Sequence, residues 1–240
     1  MIERQLEIPT KDGQATTFIV HPDRGGPRPI IIFLMDAPGI REELRDMARR
    51  LATVGYYVML PNLYYRSGVL ELGPIPPDPE APERKRMMDL MHTLTIPLVM
   101  QDIRACLIFA DADPAARAGS VGAVGYCMSG RYAVSAAVHF PERVTAAASI
   151  YGTYLVTEED DSPHVCCAPV KAKLYFAAAE TDRWAPPPMV EQLGKALPNA
   201  EVEIYPKTEH GFAFPKRPVY DRPAAERHWE RLFELFRNVG

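Results

Sequence analysis

The chain has 240 residues, 47% of them hydrophobic, enough to bury one sizeable core, and a single domain over 1–240 is expected. With 27 basic against 31 acidic residues it carries no broad positive field to hold nucleic acid or an anionic membrane, so neither is expected as a partner. Its apolar runs are strand-sized, the start Met1-Ile2-Glu3-Arg4-Gln5 lacks an export pattern, and four cysteines are too few for a disulfide framework; a cytoplasmic protein with reduced thiols is expected.

In chain order, Leu6 to Ile8 and Thr16 to Val20, joined through Lys11-Asp12-Gly13, predict an antiparallel hairpin. Pro29 to Met35 is apolar throughout, as a strand covered on both faces would be. From Arg41 to Val54, Leu44, Met47, Ala48, Leu51 and Ala52 recur at helical spacing, with Gly55 placed for a left-handed cap, and Tyr56 to Leu60 is the next strand. The proline-rich stretch from Pro61 to about Pro82 reads as a long loop and a candidate cover for an active site. Ile103, Cys106, Leu107 and Ala110 share one face of a later helix, which makes Cys106 a core residue.

Val121 to Val124 reads as a strand and Tyr132 to Val138 as a helix. Val144 to Ile150, Lys173 to Ala178 and Glu201 to Tyr205 supply further strands, with a helix around Met189 to Leu197. Asp221 and Pro223 open a closing helix whose stripe of Trp229, Leu232, Phe233 and Phe236 is core. Glu158 to Asp161 is a solvated loop, and Cys166-Cys167 a partly buried one; no cysteine and histidine spacing suggests a metal, and none is assigned. The alternation predicts an α/β fold, a mostly parallel central sheet with helices on both faces.

Between the strand at Val121 and the helix at Tyr132 stands Gly125-Tyr126-Cys127-Met128-Ser129-Gly130. A turn that presents a nucleophile above a sheet strains that residue and brings strand and helix close together, so small neighbours are needed, and Gly125, Ser129 and Gly130 supply them. The following helix would aim its amides at the sulfur and favour the thiolate, which makes Cys127 a candidate nucleophile. A thiolate nucleophile needs a base and a group to fix that base, in the order nucleophile, acid, histidine. Asp182 follows the strand Lys173 to Ala178 after Ala179-Glu180-Thr181, and His210 follows the strand Glu201 to Tyr205, so both would emerge at carboxyl ends of parallel strands. Glu180 rivals Asp182, and His164, ahead of Asp182, rivals His210 in the wrong order. Attack on an ester creates an oxyanion, for which the amides of Met128 and Ala37 are the expected donors.

Together, Met35-Asp36-Ala37-Pro38-Gly39, Pro61-Asn62-Leu63-Tyr64-Tyr65-Arg66, the cysteine turn, Asp182 and His210-Gly211-Phe212 resemble the dienelactone hydrolase family of α/β-hydrolases over nearly the whole chain. The resemblance implies the α/β-hydrolase fold, no cofactor, and a small-molecule lactone or ester attacked by Cys127. His210 would shuttle the proton, Asp182 would orient His210, and water would release the acyl-enzyme. Three positions depart from well-studied members. Ser129 stands where they carry glycine. Asp36 stands where they carry a glutamate close to the thiol, a carboxylate able to accept the thiol proton. Phe214 stands where members that bind the dienelactone carboxylate carry an arginine, four residues after the histidine. Losing that charge-assisted contact points to an uncharged or aromatic ester. Arg66, Arg84, Arg86 and Lys216 are candidates to compensate, and Tyr64, Tyr65 and Tyr220 are candidates to line the pocket. Two other readings of the same residues are a redox- or electrophile-sensing protein acting through Cys127, and a ligand-binding protein on a hydrolase scaffold.

Overall fold

In the computed structural model, which describes residues 1–240, the N-terminal residues pair as the turn at Lys11-Asp12-Gly13 requires. Strands β1 (Ile2–Thr10) and β2 (Gly13–His21) run antiparallel with Thr10 opposite Gly13. The chain divides into two compact units, residues 1–119 with Gly240, and residues 120–239.

In the first unit, β3 (Arg28–Leu34) pairs in parallel with β4 (Tyr57–Pro61), and β4 pairs antiparallel with β2, giving the order β1-β2-β4-β3. Ile30 to Leu34 and all of β4 are buried, which explains their uninterrupted apolar sequence. The crossover helix α1 (Glu42–Thr53) turns Leu44, Met47, Ala48, Leu51 and Ala52 inward and is followed by Gly55 at φ 110°. Helix α2 (Pro82–His92) was not anticipated, because its buried residues Met87, Leu90 and Met91 all fall in its second half, behind the prolines. Helix α3 (Ile96–Ala112) is capped by Thr95, whose hydroxyl accepts from the Leu98 amide. Cys106 lies on its buried face, and burial pushes the thiol up to about 12.

The second unit begins within β5 (Ala116–Tyr126) and holds β6 (Val144–Ile150), β7 (Lys173–Thr181) and β8 (Glu201–Glu209), all parallel and in the order β5-β6-β7-β8. With four parallel pairings among its strands the protein has the expected mostly parallel α/β fold. Its helices are α4 (Gly130–His139), α5 (Pro163–Cys166), α6 (Pro187–Ala196) and α7 (Arg222–Phe236). Asp221 caps α7 by accepting from the Ala224 amide at 2.9 Å, and Trp229, Leu232 and Phe236 are buried. Several boundaries differ from expectation. Strands β7 and β8 run on through Thr181 and Glu209, with a register shift between Ala179 and Thr181, and Cys166 closes a helical turn where a loop was expected. No single helix is long and apolar enough to cross a membrane.

Packing of α4 on β6 leaves no space at Gly130: a Cβ there would lie 2.3 Å from Ser149 Oγ and 2.6 Å from Gly152 Cα. Gly194 in α6 is the opposite case, with only Val202 Cγ2 at 3.9 Å. Denaturant unfolding is therefore expected to show Gly130→Ala losing about 1–3 kcal/mol through overpacking, and Gly194→Ala gaining about 0.4–1 kcal/mol.

Candidate active site

Cys127 begins a one-turn 3-10 segment, Cys127–Ser129, between β5 and α4, and its backbone sits in the left-handed region at φ 53°. Such a conformation costs roughly 1–3 kcal/mol in a residue with a Cβ and persists only where its surroundings over-determine it. Here they do. A Cβ at Gly125 would lie 2.1 Å from the Ser129 carbonyl oxygen, so the turn closes on itself only because residue 125 is glycine. Gly130 provides the equivalent close approach on the helix side, and Ser129 is fully buried in the turn. Cys127 itself is half-buried, and its carbonyl accepts from the Thr153 amide at 3.1 Å. The preceding Tyr126 is buried and donates its hydroxyl to His228 Nε2 at 3.0 Å, while His228 Nδ1 donates to the Ala225 carbonyl, so the floor of the turn is tied to α7.

The strand extensions deliver two further side chains. Asp182 directly follows β7, and His210 directly follows β8. The Nδ1–H of His210 donates to Asp182 Oδ2 at 2.7 Å; the other oxygen of Asp182 accepts from the amides of Trp184 at 2.8 Å and Ala185 at 3.2 Å. Both carboxylate oxygens are thus engaged and the ring is oriented through Nδ1, which leaves Nε2 as the nitrogen turned away from Asp182. Burial would lower the His210 pKa, but the interactions with Cys127 and with the Asp182 carboxylate more than offset it and raise the pKa to about 9. Charge on Cys127 is the largest of the raising influences, so sulfur and imidazole form one coupled pair. The rival His164 is engaged elsewhere, 2.8 Å from Ser162 Oγ, and Glu180 accepts from the Lys207 amide at 2.7 Å.

Other sequence-nominated residues have different surroundings. Asp36 is fully buried and meets Arg41 through both oxygens, at 2.5 Å and 3.1 Å, and Arg41 also binds Glu43; that partner was not foreseen. Ala37 is buried in the turn after β3, and its carbonyl accepts from the Tyr64 hydroxyl at 3.0 Å. The segment from Tyr64 to Leu72 is laced to that turn by Ile40 N–H to Leu70 O and Leu72 N–H to Pro38 O, so the first part of the long loop buttresses Asp36 to Ile40. Tyr64, 1% exposed, is a structural prop for that turn where a pocket-lining residue was expected. Tyr65 donates to Asp102 at 3.0 Å, and Arg66 forks onto Asp102 at 2.8 Å and 2.9 Å and also binds Asp12, so the Arg66 charge is consumed locally. Arg84 donates to the Pro76 carbonyl.

Met128 is buried beside the sulfur-bearing residue, and Tyr220 is half-buried ahead of α7. Phe214 points inward. It is fully buried, 5.4 Å from the Tyr126 ring and 6.1 Å from that of Tyr151, with the Arg217 guanidinium 5.0 Å from its centroid, so it packs among buried aromatic rings. Two residues that the sequence did not single out, Tyr151 and Thr153, contact the site directly. Their position just past the carboxyl end of β6 was the available signal.

Residues 15–240 match the dienelactone hydrolase family. A Methylorubrum extorquens protein described by name as a carboxymethylenebutenolidase is 28% identical over all of this chain and 82% of its own length. A Yersinia pestis protein of the same description is 29% identical over 98% of this chain and 88% of its own. The crystal structure of a Klebsiella pneumoniae protein described as a dienelactone hydrolase superposes with a TM-score of 0.87 at 26% identity, covering 99% of this chain and 98% of that one.

Because the pKa of His210 is raised, the imidazole stays a cation through neutral pH and loses its proton only as pH rises through about 9. Removing the largest raising influence lowers that pKa. In Cys127→Ala the imidazole resonance is expected to titrate at lower pH than in the wild type, which NMR of the His210 ring protons will read; an unchanged midpoint would show that sulfur and imidazole are uncoupled.

Proposed function

This chain belongs to the dienelactone hydrolase family, and from that premise we propose that it hydrolyses a lactone or small carboxylic ester through Cys127, with His210 and Asp182 completing a triad. One observation carries the reading: a half-buried imidazole is held at Nδ1 by Asp182 and has the Cys127 side chain as its other partner, the two together raising its pKa. In this mechanism the thiolate attacks the acyl carbon, and the amide of Met128 stabilises the resulting oxyanion, with Ala37 assigned as second donor on the general order of the fold. The imidazolium gives its proton to the departing alkoxide, leaving a thioester on Cys127. His210 then takes a proton from water, hydroxide adds to the thioester, and the acid leaves as the thiolate re-forms. We further assign the whole of residues 1–240 to one hydrolase domain, supported by matches spanning nearly the full chain, and place it in the cytoplasm.

An uncharged acyl group is the better substrate on this reading. The position four residues past His210 holds an inward-facing Phe214, Arg66 is paired with Asp102 and Asp12, and Arg84 is bound to backbone.

Cys127→Ala is expected to lower turnover of activated esters and lactones by roughly 10³-fold or more at an unchanged melting temperature, and mass spectrometry of quenched wild-type reactions should show an acyl adduct on Cys127. Wild-type turnover in that variant would rule the mechanism out, and stoichiometric thiol oxidation without ester turnover would favour redox sensing. Given matched esters with and without a carboxylate on the acyl side, kcat/KM is expected to favour the neutral one; a preference of about ten-fold or more for the anion would overturn the substrate assignment.

A further inference from the structure

Backbone strain in this chain is not scattered. Its non-glycine residues at positive φ are Cys127, Tyr151 at 38°, Tyr154 at 54° and Lys207 at 58°. The first is the sulfur-bearing residue, the last lies near the end of β8 ahead of His210, and the middle two bracket a four-residue turn, Tyr151-Gly152-Thr153-Tyr154, that leaves β6. Such conformations persist only where neighbouring contacts enforce them, and they gather where a geometry has to be held.

The turn touches both halves of the thiol–imidazole pair. On one side the Thr153 amide donates to the Cys127 carbonyl at 3.1 Å. On the other, the Tyr151 ring, fully buried, meets the His210 ring edge-on with centroids 5.0 Å apart and is itself wedged against Phe212 at 5.4 Å. The turn is anchored in its place by the Tyr151 amide, which donates to the Ala177 carbonyl of β7 at 2.7 Å. Gly152 at its centre has no room for a side chain, since a Cβ would lie 2.1 Å from Ser149 Oγ. The Thr153 hydroxyl is buried without a hydrogen-bond partner, so the residue's hold on Cys127 runs through its amide.

We propose that Tyr151 and Thr153 are positioning residues: the strained turn they form is the spacer that sets the Cys127 sulfur against the His210 imidazole, one end gripping the nucleophile's carbonyl and the other end bracing the ring. The proposal rests on the thiol–imidazole chemistry assigned above. It assigns no contact with substrate to either residue. Its physical content is that productive geometry tolerates little slack, because an error of about 1 Å in a reacting pair costs on the order of 10²-fold in rate.

The test uses two pairs of variants and two readouts that do not depend on each other. Tyr151→Leu removes the brace and Tyr151→Phe keeps it; Thr153→Pro deletes the amide donor and Thr153→Ala keeps it. Tyr151→Leu and Thr153→Pro are expected to lower kcat by about ten-fold or more with KM within about two-fold, and to shift the pH profile of Cys127 alkylation by iodoacetamide together with the His210 titration seen by NMR, away from its wild-type midpoint of about 9. Tyr151→Phe and Thr153→Ala should retain wild-type values of both. If Tyr151→Leu folds and keeps the wild-type kcat and alkylation profile, the proposal is overturned, whether or not Thr153→Pro folds. Loss in Thr153→Ala equal to that in Thr153→Pro would also overturn it, since the side chain would then be the active part. Alkylation requires no ester turnover, so the spacer can fail while Cys127→Ala still abolishes hydrolysis, and the hydrolase reading can fail while the spacer stands.

Discussion

Everything at the site depends on one tight approach: the start of α4 lies so close to the strand beneath it that neither Gly125 nor Gly130 has room for a methyl group. That contact bends the chain sharply enough to hold Cys127 at φ 53°. The energetic logic is local strain carried by distributed packing. A left-handed residue is unfavourable by itself, but α4 buries Tyr132, Ala133, Val134, Ala136 and Ala137, and each buried apolar group offsets part of that cost. The position of Cys127 is therefore a product of the core.

The partners of Cys127 follow a second constraint, the direction of parallel strands. Since β5, β6, β7 and β8 all run the same way, their carboxyl ends lie along one edge, and Cys127, Tyr151, Asp182 and His210 gather there from four different connections. Asp182 shows how thoroughly such an edge fixes a side chain: three donors, two of them backbone amides and the third His210 itself, hold its carboxylate in place.

Much of this architecture is legible in the residues. Strands buried on both faces, such as β3 and β4, announce themselves as unbroken apolar runs, and α1 as a helical stripe ending at glycine. The cysteine turn is legible because its small neighbours have no other common purpose. Helix α2 is hidden because prolines precede it and only its second half is buried, and the ends of β7 and β8 are hidden because Thr181 and Glu209 are exposed polar residues within strands. Partnerships across long stretches of chain are the least readable. Tyr64 reaching the Ala37 carbonyl, Arg66 forking onto Asp102, and Phe214 turning inward all depend on which way a side chain faces, which periodicity does not supply in a loop.

Burial also sorts the four sulfurs of this protein into different kinds of atom. Cys106 and Cys167 are sealed in the interior and pushed up to about 12, and burial raises Cys166 as well, so these three behave as apolar packing or weak donors near neutral pH. Only Cys127 sits beside an imidazolium. An electrophile meeting this molecule thus finds two thiols sealed in the interior and two half-buried ones, of which Cys127 alone has an imidazole at hand.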